Sequence, residues 1–226
     1  MLRILIAIFI AVSAAMCPQQ LHAKKHKPLK KVHVDTIAIP DDIFFQAETT
    51  EELTETSGED INTTILGDTR LEVERMYRFV LSRNPEFPRE IAEAFYNVGK
   101  RYGIRGDIAL CQSILETGWF TFTGGTAVTL EQNNFCGLGV TKLGVKGHAF
   151  DTIEEGVTAQ IQHLYAYACK KKLPKGEKLI DPRFSLVHRG IAPTWADLNR
   201  RWAANSHYAD RIMKLYSQMA SFEIND

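Results

Sequence analysis

The chain has 226 residues, of which 45% are apolar and 24% are charged, values that are ordinary for one globular domain with additional segments. This composition excludes a wholly disordered chain, a collagen-like repeat and a polytopic membrane protein. Basic and acidic residues number 27 each, which argues against a nucleic-acid binder, although charges of opposite sign can be segregated along the chain.

The first segment, residues 1–23, is predicted to be an export signal. Arg3 precedes the apolar run 4–12, and small residues follow that run. The run is too short to cross a bilayer, which needs about 20 apolar residues. We therefore expect export to the periplasm, the cell envelope or the extracellular space. Cys17 lies close to the small residues and leaves lipoprotein anchoring open as an alternative.

Residues 24–68 are predicted to be an acidic, mostly disordered spacer. Five lysines cluster at its start, and ten acidic residues follow without a Lys or Arg among them. The spacer shows little apolar periodicity, so it cannot bury enough surface to offset the entropy of ordering it. The folded domain is predicted at 69–222. Because residues 70–226 carry a net charge of +4, we expect a weak, salt-sensitive attraction to anionic wall polymers.

Helical periodicity dominates the predicted domain, since apolar residues recur three and four positions apart. It predicts helices over 70–83, 88–103, 108–117, 153–168, 194–203 and 206–220. Asp107 is expected to cap the third helix and Gly118 to end it. Residues 118–150 are rich in glycine and predict loops with a short β-hairpin, 137–140 against 146–150. The predicted fold class is α+β, mainly α, because strands and helices do not alternate as they do in Rossmann or TIM-barrel folds.

The third predicted helix carries the most informative side chain, Glu116. The helix is apolar nearly all round, which predicts burial, and Gln112 and Ser113 lie one turn earlier beside Glu116. Burial and the helix C-terminus both disfavour a charged carboxylate, so a raised pKa is expected. Two interpretations remain open at this point. Glu116 is either a general acid or a structural carboxylate paired with an arginine.

Aromatic and amide side chains follow Glu116 closely. They are Trp119, Phe120, Phe122, Asn133, Asn134 and Phe135. Aromatic rings stack on the faces of sugar rings, and amides bond hydroxyl and acetamido groups. Beside a buried acid they predict a carbohydrate cleft in which Gln112 and Trp119 bind the substrate.

Five sequence blocks carry a family resemblance. They are ALCQSILETGW at 109–119, NNFCGLG at 133–139, GVTAQIQHLYAYA at 156–168, DPRF at 181–184 and WAANSHYADRI at 202–212. In order and spacing these blocks resemble the bacterial glucosaminidase domain, glycoside hydrolase family 73, over about residues 70–222. The resemblance implies a lysozyme-like fold with a small β-hairpin beside the cleft. It also implies cleavage of the β-1,4 glycosidic bond after N-acetylglucosamine in peptidoglycan glycan strands.

The resemblance further implies roles for individual residues. Glu116 would be the general acid that protonates the glycosidic oxygen. Tyr208 corresponds to a cleft tyrosine of the family and would orient the 2-acetamido group or a water. Asn134 and Phe135 correspond to the loop that lines the cleft floor.

A second carboxylate is the point at which this sequence departs from the family. Many members place one in the hairpin, whereas residues 132–150 contain no Asp or Glu. Glu131 is therefore the predicted second catalytic carboxylate, with Asp151 as its alternative, for inverting hydrolysis. Assistance by the substrate's own acetamido oxygen remains open. So does Glu116 acting alone as acid and then base, which gives an anhydro product as in lytic transglycosylases. Hydrolysis is the favoured outcome.

Other function classes are weighed against this one. A wall-glycan-binding module without turnover is the main rival, and an amidase acting on the same polymer is another. The seven histidines show no HExxH motif, and neither a metal nor a cofactor is expected. Cys111, Cys136 and Cys169 are expected to be small buried thiols, with one disulfide between two of them as the alternative in an exported protein. A monomer is the default expectation.

Overall fold

The computed structural model describes residues 60–123 and 127–224. The predicted export signal and most of the predicted spacer lie outside the described residues. The framework consists of α1 (Val73–Leu81), α2 (Arg89–Tyr102), α3 (Gly106–Thr117), α4 (Ile153–Ala168) and α5 (Tyr208–Ser221), with short 3-10 helices at Leu130–Gln132, Phe184–Leu186 and Ala196–Leu198. Within these residues, no helix has the length and hydropathy that crossing a bilayer would require.

Helix α3 lies at the centre of the helical domain. It is buried from Gly106 to Ile114, as its apolar circumference predicts. Helix α2 packs against both α3 and α4, and α5 packs against α3. Burial of apolar surface is the main favourable contribution to folding, so this arrangement places the end of α3, where Glu116 lies, on a rigid support.

Close packing of α2 on α3 depends on a glycine. A Cβ at Gly106 would lie 2.2 Å from the backbone oxygen of Phe95, well inside contact distance. Gly106 therefore begins α3 where any larger residue would push the two helices apart. The predicted helices ending at Gly103 and Gly118 do end there, with left-handed φ values of 61° and 59° at these glycines.

Asp107 does not cap α3 as predicted, because the N-cap is Arg105 and Asp107 lies in the first turn. Its fully buried carboxylate accepts hydrogen bonds from the Arg105 guanidinium at 2.9 Å and from the backbone N–H of Arg70 at 3.0 Å. A buried charge needs such partners. Asp107 thus ties the start of α3 to the segment that leads into α1.

The predicted helix over 194–203 is wrong in its type and length. The helix here is only the 3-10 turn Ala196–Leu198, and its N-cap is Trp195 rather than the predicted Thr194, whose hydroxyl donates to Asp197 Oδ2 at 2.6 Å. Arg200 then adopts a left-handed φ of 57°, which an α-helix cannot accommodate. The chain instead turns so that Trp195 and Trp202 both reach the core.

The mainly helical fold class is confirmed, whereas the small β-hairpin is not confirmed. The two predicted arms still lie side by side, because His148 N–H donates to the Leu138 oxygen at 2.8 Å. Left-handed glycines interrupt the extended backbone that a strand would need. They are Gly137, Gly139, Gly144 and Gly147. A side chain therefore does much of the pairing, as the Asn134 amide donates to the backbone oxygens of Leu138 and His148, both at 2.9 Å.

Residues 61–67, here called the N-terminal strap, correct the predicted end of the spacer at 68. Ile65 in this segment is fully buried. Its N–H donates to the Pro193 oxygen at 2.9 Å, and its oxygen accepts from Arg105 N–H at 3.1 Å. A buried apolar side chain and paired backbone place the strap within the folded domain, which therefore begins before residue 69.

Candidate active site

Glu116 lies in the last turn of α3, where the chain reverses through consecutive left-handed residues. Gly118, Trp119 and Phe120 have φ values of 59°, 60° and 59°. The Thr117 hydroxyl fastens this turn, because it accepts a hydrogen bond from Phe120 N–H at 2.8 Å and donates to the Ser113 oxygen at 2.7 Å. Left-handed conformations at bulky residues are costly and persist where the surroundings enforce them.

The Glu116 carboxyl is half-buried and meets two donors from the C-terminal part of the chain. Trp202 Nε1–H donates to Glu116 Oε1 at 3.1 Å, and the Tyr208 hydroxyl donates to the same oxygen. Trp202 and Tyr208 are themselves almost completely buried. The helix α3 and the segment that opens α5 therefore converge on one carboxyl oxygen.

Burial raises the pKa of Glu116 to about 7, and it does so against three opposing influences. The hydrogen bonds from Tyr208 and Trp202 and the positive charge of Arg211 each lower the pKa of this carboxyl. The group is consequently close to half protonated at neutral pH, as a general acid requires. Both donors to Oε1 are neutral groups. Of the two interpretations drawn from the sequence, this arrangement therefore favours a general acid over a structural carboxylate paired with an arginine.

Gln112, a predicted substrate-binding residue, is fully buried beside Tyr208 and exposes no side-chain surface. Its amide donates to the Tyr208 hydroxyl at 3.0 Å, and its oxygen accepts from Gln160 Nε2 at 3.0 Å. The phenol therefore accepts from Gln112 while it donates to Glu116. Burial and the nearby carboxylate raise the pKa of Tyr208 well above its usual value, so the phenol keeps its proton.

Asn134 and Phe135 are buried and leave almost no side-chain surface for substrate. Both side chains are at most 1% exposed. Asn134 Oδ1 accepts from Leu138 N–H at 2.9 Å, so both the oxygen and the nitrogen of this amide bond to the loop backbone. The Phe135 ring packs edge-on against Phe120 at 5.9 Å between centroids. Their predicted place in the binding set is corrected to a structural one.

Trp119 remains a predicted substrate-binding residue because it is half-buried. Its indole packs against the Phe79 ring in a tilted arrangement with centroids 5.3 Å apart, and the Arg83 guanidinium lies 5.7 Å from the indole centroid. Its backbone oxygen accepts from the Asn84 amide at 3.0 Å. These contacts hold an aromatic ring, still partly exposed, three residues beyond Glu116.

Glu131 is exposed and makes no contact with Glu116. It lies in the 3-10 helix Leu130–Gln132, and a hydrogen bond with Thr129 lowers its pKa, so it is ionised at neutral pH. Asp151, the alternative second carboxylate, is also exposed, with its backbone N–H bonded to Glu155 Oε2 at 3.2 Å. The structure thus brings Glu116, Trp202 and Tyr208 together and leaves both candidate bases outside that cluster.

Sequence reasoning assigned no role to Trp202 or to a buried pair behind it, His163 and Asp181. His163 Nδ1 lies 2.7 Å from Asp181 Oδ2, and the His163 ring lies 5.1 Å from the Trp202 ring. The sequence does contain a signal that could have identified this pair, because His163 is a polar residue within α4, a helix as apolar as α3. Elsewhere in the described ranges 60–123 and 127–224, no group of three or more His, Cys, Asp or Glu side chains could hold a metal ion.

Two sequence comparisons bear on this chain. The family model described as mannosyl-glycoprotein endo-beta-N-acetylglucosaminidase matches residues 92–221. A protein of Borreliella burgdorferi, described as uncharacterized, is 36% identical over 157 residues, which cover 68% of this chain and 75% of that protein. Residues 92–221, which the family model matches, include Glu116, Trp202 and Tyr208.

Two solved structures are also similar. The catalytic domain of the autolysin Auto from Listeria monocytogenes aligns with a TM-score of 0.39 at 17% identity, over 65% of this chain and 85% of that one. Autolysin E of S. aureus, solved in complex with a muropeptide, aligns with a TM-score of 0.41 at 12% identity, over 84% of this chain and 92% of that one.

Proposed function

Because this chain belongs to the glucosaminidase family and is a glycoside hydrolase, we propose that it cleaves peptidoglycan glycan strands at the β-1,4 bond after N-acetylglucosamine, with Glu116 as the general acid. The observation that carries this proposal is the carboxyl itself. Glu116 has a pKa of about 7 and receives two neutral hydrogen bonds on one oxygen. A carboxyl kept partly protonated at neutral pH is what glycoside hydrolysis requires of its acid.

The hydrogen-bond arrangement supports a specific direction of proton transfer. Trp202 and Tyr208 both donate to Oε1, so we assign the proton to Oε2, the oxygen left to face the glycosidic bond. As Oε2 gives its proton to the leaving oxygen, negative charge develops on the carboxylate. The two donors then stabilise that charge without having to reorient, which favours the transition state.

For the second step, Glu131 remains the proposed carboxylate. Its ionised state suits a base that activates water, and inverting enzymes keep their two carboxyl groups about 6.5–9.5 Å apart, so contact with Glu116 is not needed. If Glu131→Gln retains full activity, assistance by the substrate's acetamido oxygen becomes the better account. An anhydro product would instead indicate that Glu116 acts alone.

The experiment that tests the function is digestion of purified peptidoglycan, followed by mass spectrometry of the soluble products. The wild-type protein should release fragments whose reducing end is N-acetylglucosamine, and Glu116→Gln should release at least 100-fold less. Glu86→Gln, at an exposed glutamate, is the matched control and should retain wild-type activity.

Other products would replace the proposal with a named alternative. Fragments that end in reducing N-acetylmuramic acid would indicate a muramidase, and anhydro ends a transglycosylase. Free peptides with intact glycan strands would indicate an amidase. A protein that binds the wall and releases nothing would be the wall-binding module.

Export is part of the same proposal. A cleavable signal at 1–23 would deliver the enzyme to its polymer, and Cys17 offers a lipid-anchored form instead. Mass measurement of the mature N-terminus, in the wild type and in Cys17→Ser, separates the two. A cleaved, unmodified N-terminus supports secretion, and a lipid mass that is lost in the variant supports anchoring.

A further inference from the structure

We propose that His163, held by Asp181, is a positioning residue for the acid, because it packs the Trp202 indole into the orientation from which Nε1–H reaches Glu116. The inference rests on the proposed role of Glu116 and extends it to a pair of residues outside the cluster that contacts the carboxyl. Its evidence is a continuous chain of contacts from Asp181 to Glu116.

The chain begins at Asp181, which is fixed on several sides. Its Oδ1 accepts a hydrogen bond from Arg183 N–H at 2.8 Å, and its own N–H donates to Gln162 Oε1 at 2.9 Å. Its Oδ2 faces His163 Nδ1 at 2.7 Å. Because a carboxylate accepts hydrogen bonds, Nδ1 carries the proton, and this bond sets both the tautomer and the plane of the ring.

The next contact joins His163 to Trp202. The imidazole is 7% exposed and meets the indole edge-on, with centroids 5.1 Å apart and planes at 82°. Tyr167, one turn along α4, packs against both rings, at 5.4 Å from His163 and 5.9 Å from Trp202. The His163–Trp202 pair has the edge-to-face geometry that aromatic rings prefer, and with the tilted Tyr167 ring it limits rotation of the indole.

The last contact is the hydrogen bond from Trp202 Nε1 to Glu116 Oε1 at 3.1 Å. A tilt of the indole would lengthen or bend this bond, and hydrogen bonds weaken steeply with such distortion. The other groups that act on Glu116 are Tyr208, which donates to the same oxygen, and the charge of Arg211. Gln160 of α4 reaches Tyr208 through Gln112, whereas His163 reaches the acid through Trp202.

A purely structural role is the alternative for this pair. A buried polar pair is weak evidence for stability, since well-packed apolar residues of similar size often serve equally well. A stabilising role therefore does not by itself explain a His and an Asp at this place. The hydrogen bond to Asp181 fixes the plane of the His163 ring, and that ring contacts Trp202, which bonds Glu116. This contact gives the pair a role that apolar residues would not fill.

The test follows the indole N–H of Trp202 by NMR in protein carrying 15N-labelled tryptophan. The chain has three tryptophans, so Trp→Phe variants at 119, 195 and 202 assign the three indole signals. In the wild type the Trp202 signal should shift with pH as Glu116 titrates, and Glu116→Gln should abolish that shift.

His163→Asn is the deciding variant, because its amide can still donate to Asp181 while the ring against Trp202 is gone. We expect the Trp202 signal to move and to lose at least half of its pH-dependent shift. We also expect kcat to fall about tenfold with KM changed less than twofold, and the loss of activity at high pH to occur at a higher pH. That direction follows because weakening a bond to the carboxylate raises the pKa of Glu116.

Controls separate positioning from folding. The signal of Trp195, a fully buried residue, reports whether each variant is folded, and exposed His188→Asn should leave every signal and the activity unchanged. Asp181→Asn, which keeps an uncharged acceptor, should show a smaller effect than His163→Asn. If His163→Asn does not fold, Asp181→Asn provides the same readouts.

One result would overturn the inference: folded His163 and Asp181 variants that lose only thermal stability while the Trp202 signal, its titration and the pH profile stay as in the wild type. Failure of the proposed function is distinguishable from this. If peptidoglycan is not cut but the Trp202 signal still follows Glu116 and depends on His163, the positioning stands and the reaction assigned to the site is wrong.

Discussion

At Glu116, burial and hydrogen bonding act in opposite directions on one carboxyl. Burial favours the neutral form, while the Tyr208 hydroxyl, the Trp202 indole and the Arg211 charge favour the ionised form. The resulting pKa of about 7 lets the group give up a proton and take one back at neutral pH. Any variant that removes one influence should move this pKa in a direction fixed by that influence.

Tyr208→Phe should move the loss of activity at high pH further upward. The general acid must be protonated, so kcat/KM falls as pH rises through the pKa of Glu116. Removing the hydroxyl deletes a bond to the ionised form and raises that pKa. Since such bonds are worth about 1.5–3 kcal/mol, the shift should be about 1–2 pH units. The measurement is kcat/KM against pH, with Tyr96→Phe as control, and a shift to lower pH would contradict the mechanism.

Glu116→Gln should make the protein more stable above pH 7 and leave stability nearly unchanged at pH 4. The folded pKa of about 7 exceeds the ordinary value of 4.5. The stability that protonated Glu116 contributes is therefore fully present below about pH 4.5 and is lost as the pH rises through about 7. Glutamine cannot ionise, so the free energy of unfolding of Glu116→Gln should exceed that of the wild type by on the order of 1–3 kcal/mol at pH 8. Urea unfolding at both pH values tests this, and an equal difference at both would refute it.

Residue types near Glu116 could be predicted from the sequence, but their exposure could not. Gln112 and Asn134 are amides near Glu116, and amides are typical of sugar-binding sites. Both side chains nevertheless make hydrogen bonds within the protein. The sequence of an apolar helix does not indicate which face meets the cleft. Its few polar residues lie on one side in both cases, whether they bind substrate or bond to other side chains. The role of Trp202 depends on a contact across 86 positions of sequence, which no local pattern reveals.

Among the elements, α4 and the NNFCGLG loop meet at a glycine. A Cβ at Gly156 would lie 1.8 Å from the backbone oxygen of Asn133. Asn133 in turn adopts a left-handed φ of 51°, and its amide donates to the Phe150 oxygen at 3.0 Å. The first turn of α4 therefore sets the position of the loop that carries Asn134 and Phe135.

Gly156→Ala should destabilise the protein, although Ala is about 1 kcal/mol better than Gly within an ordinary helix. The added methyl group must displace the loop backbone, and such overpacking costs about 1–3 kcal/mol. Loss of activity should accompany the loss of stability because the loop moves. Thermal unfolding and peptidoglycan digestion measure both. Exposed Glu154→Ala in the same turn is the control, and an unchanged or raised melting temperature for Gly156→Ala would show that the loop yields freely.

Helix periodicity was sufficient to predict α2 and α4 nearly to the residue, since both have clear end signals. It failed for the hairpin and for the helix over 194–203, where the backbone departs from regular values at left-handed residues. Gly139 and Arg200 show why. Glycine is compatible with either a hairpin or an irregular loop, and arginine normally favours a helix, so tertiary packing decides both cases.

Over the whole domain, the N-terminal strap joins segments that are far apart in the chain. It bonds the α2–α3 junction through Gly67 N–H to the Gly103 oxygen at 2.8 Å. It bonds the segment before α5 through Trp195 N–H to the Thr63 oxygen at 3.1 Å. Low apolar content across the acidic segment concealed these contacts, because the strap has a single buried residue, Ile65, and these hydrogen bonds come from its backbone.

A protein that begins at residue 60 should therefore be markedly more stable than one that begins at residue 69, the boundary that composition alone suggests. The shorter protein loses the fully buried Ile65 and leaves the backbone groups of Pro193 and Arg105 without their partners. Deleting a buried Ile side chain alone costs about 2–5 kcal/mol, and each unpaired buried backbone group adds to the loss. Urea unfolding of the two proteins measures the difference, and Ile65→Ala in the full chain isolates the side-chain part. Equal midpoints for the two proteins would mean that the strap only rests on a domain that is complete without it.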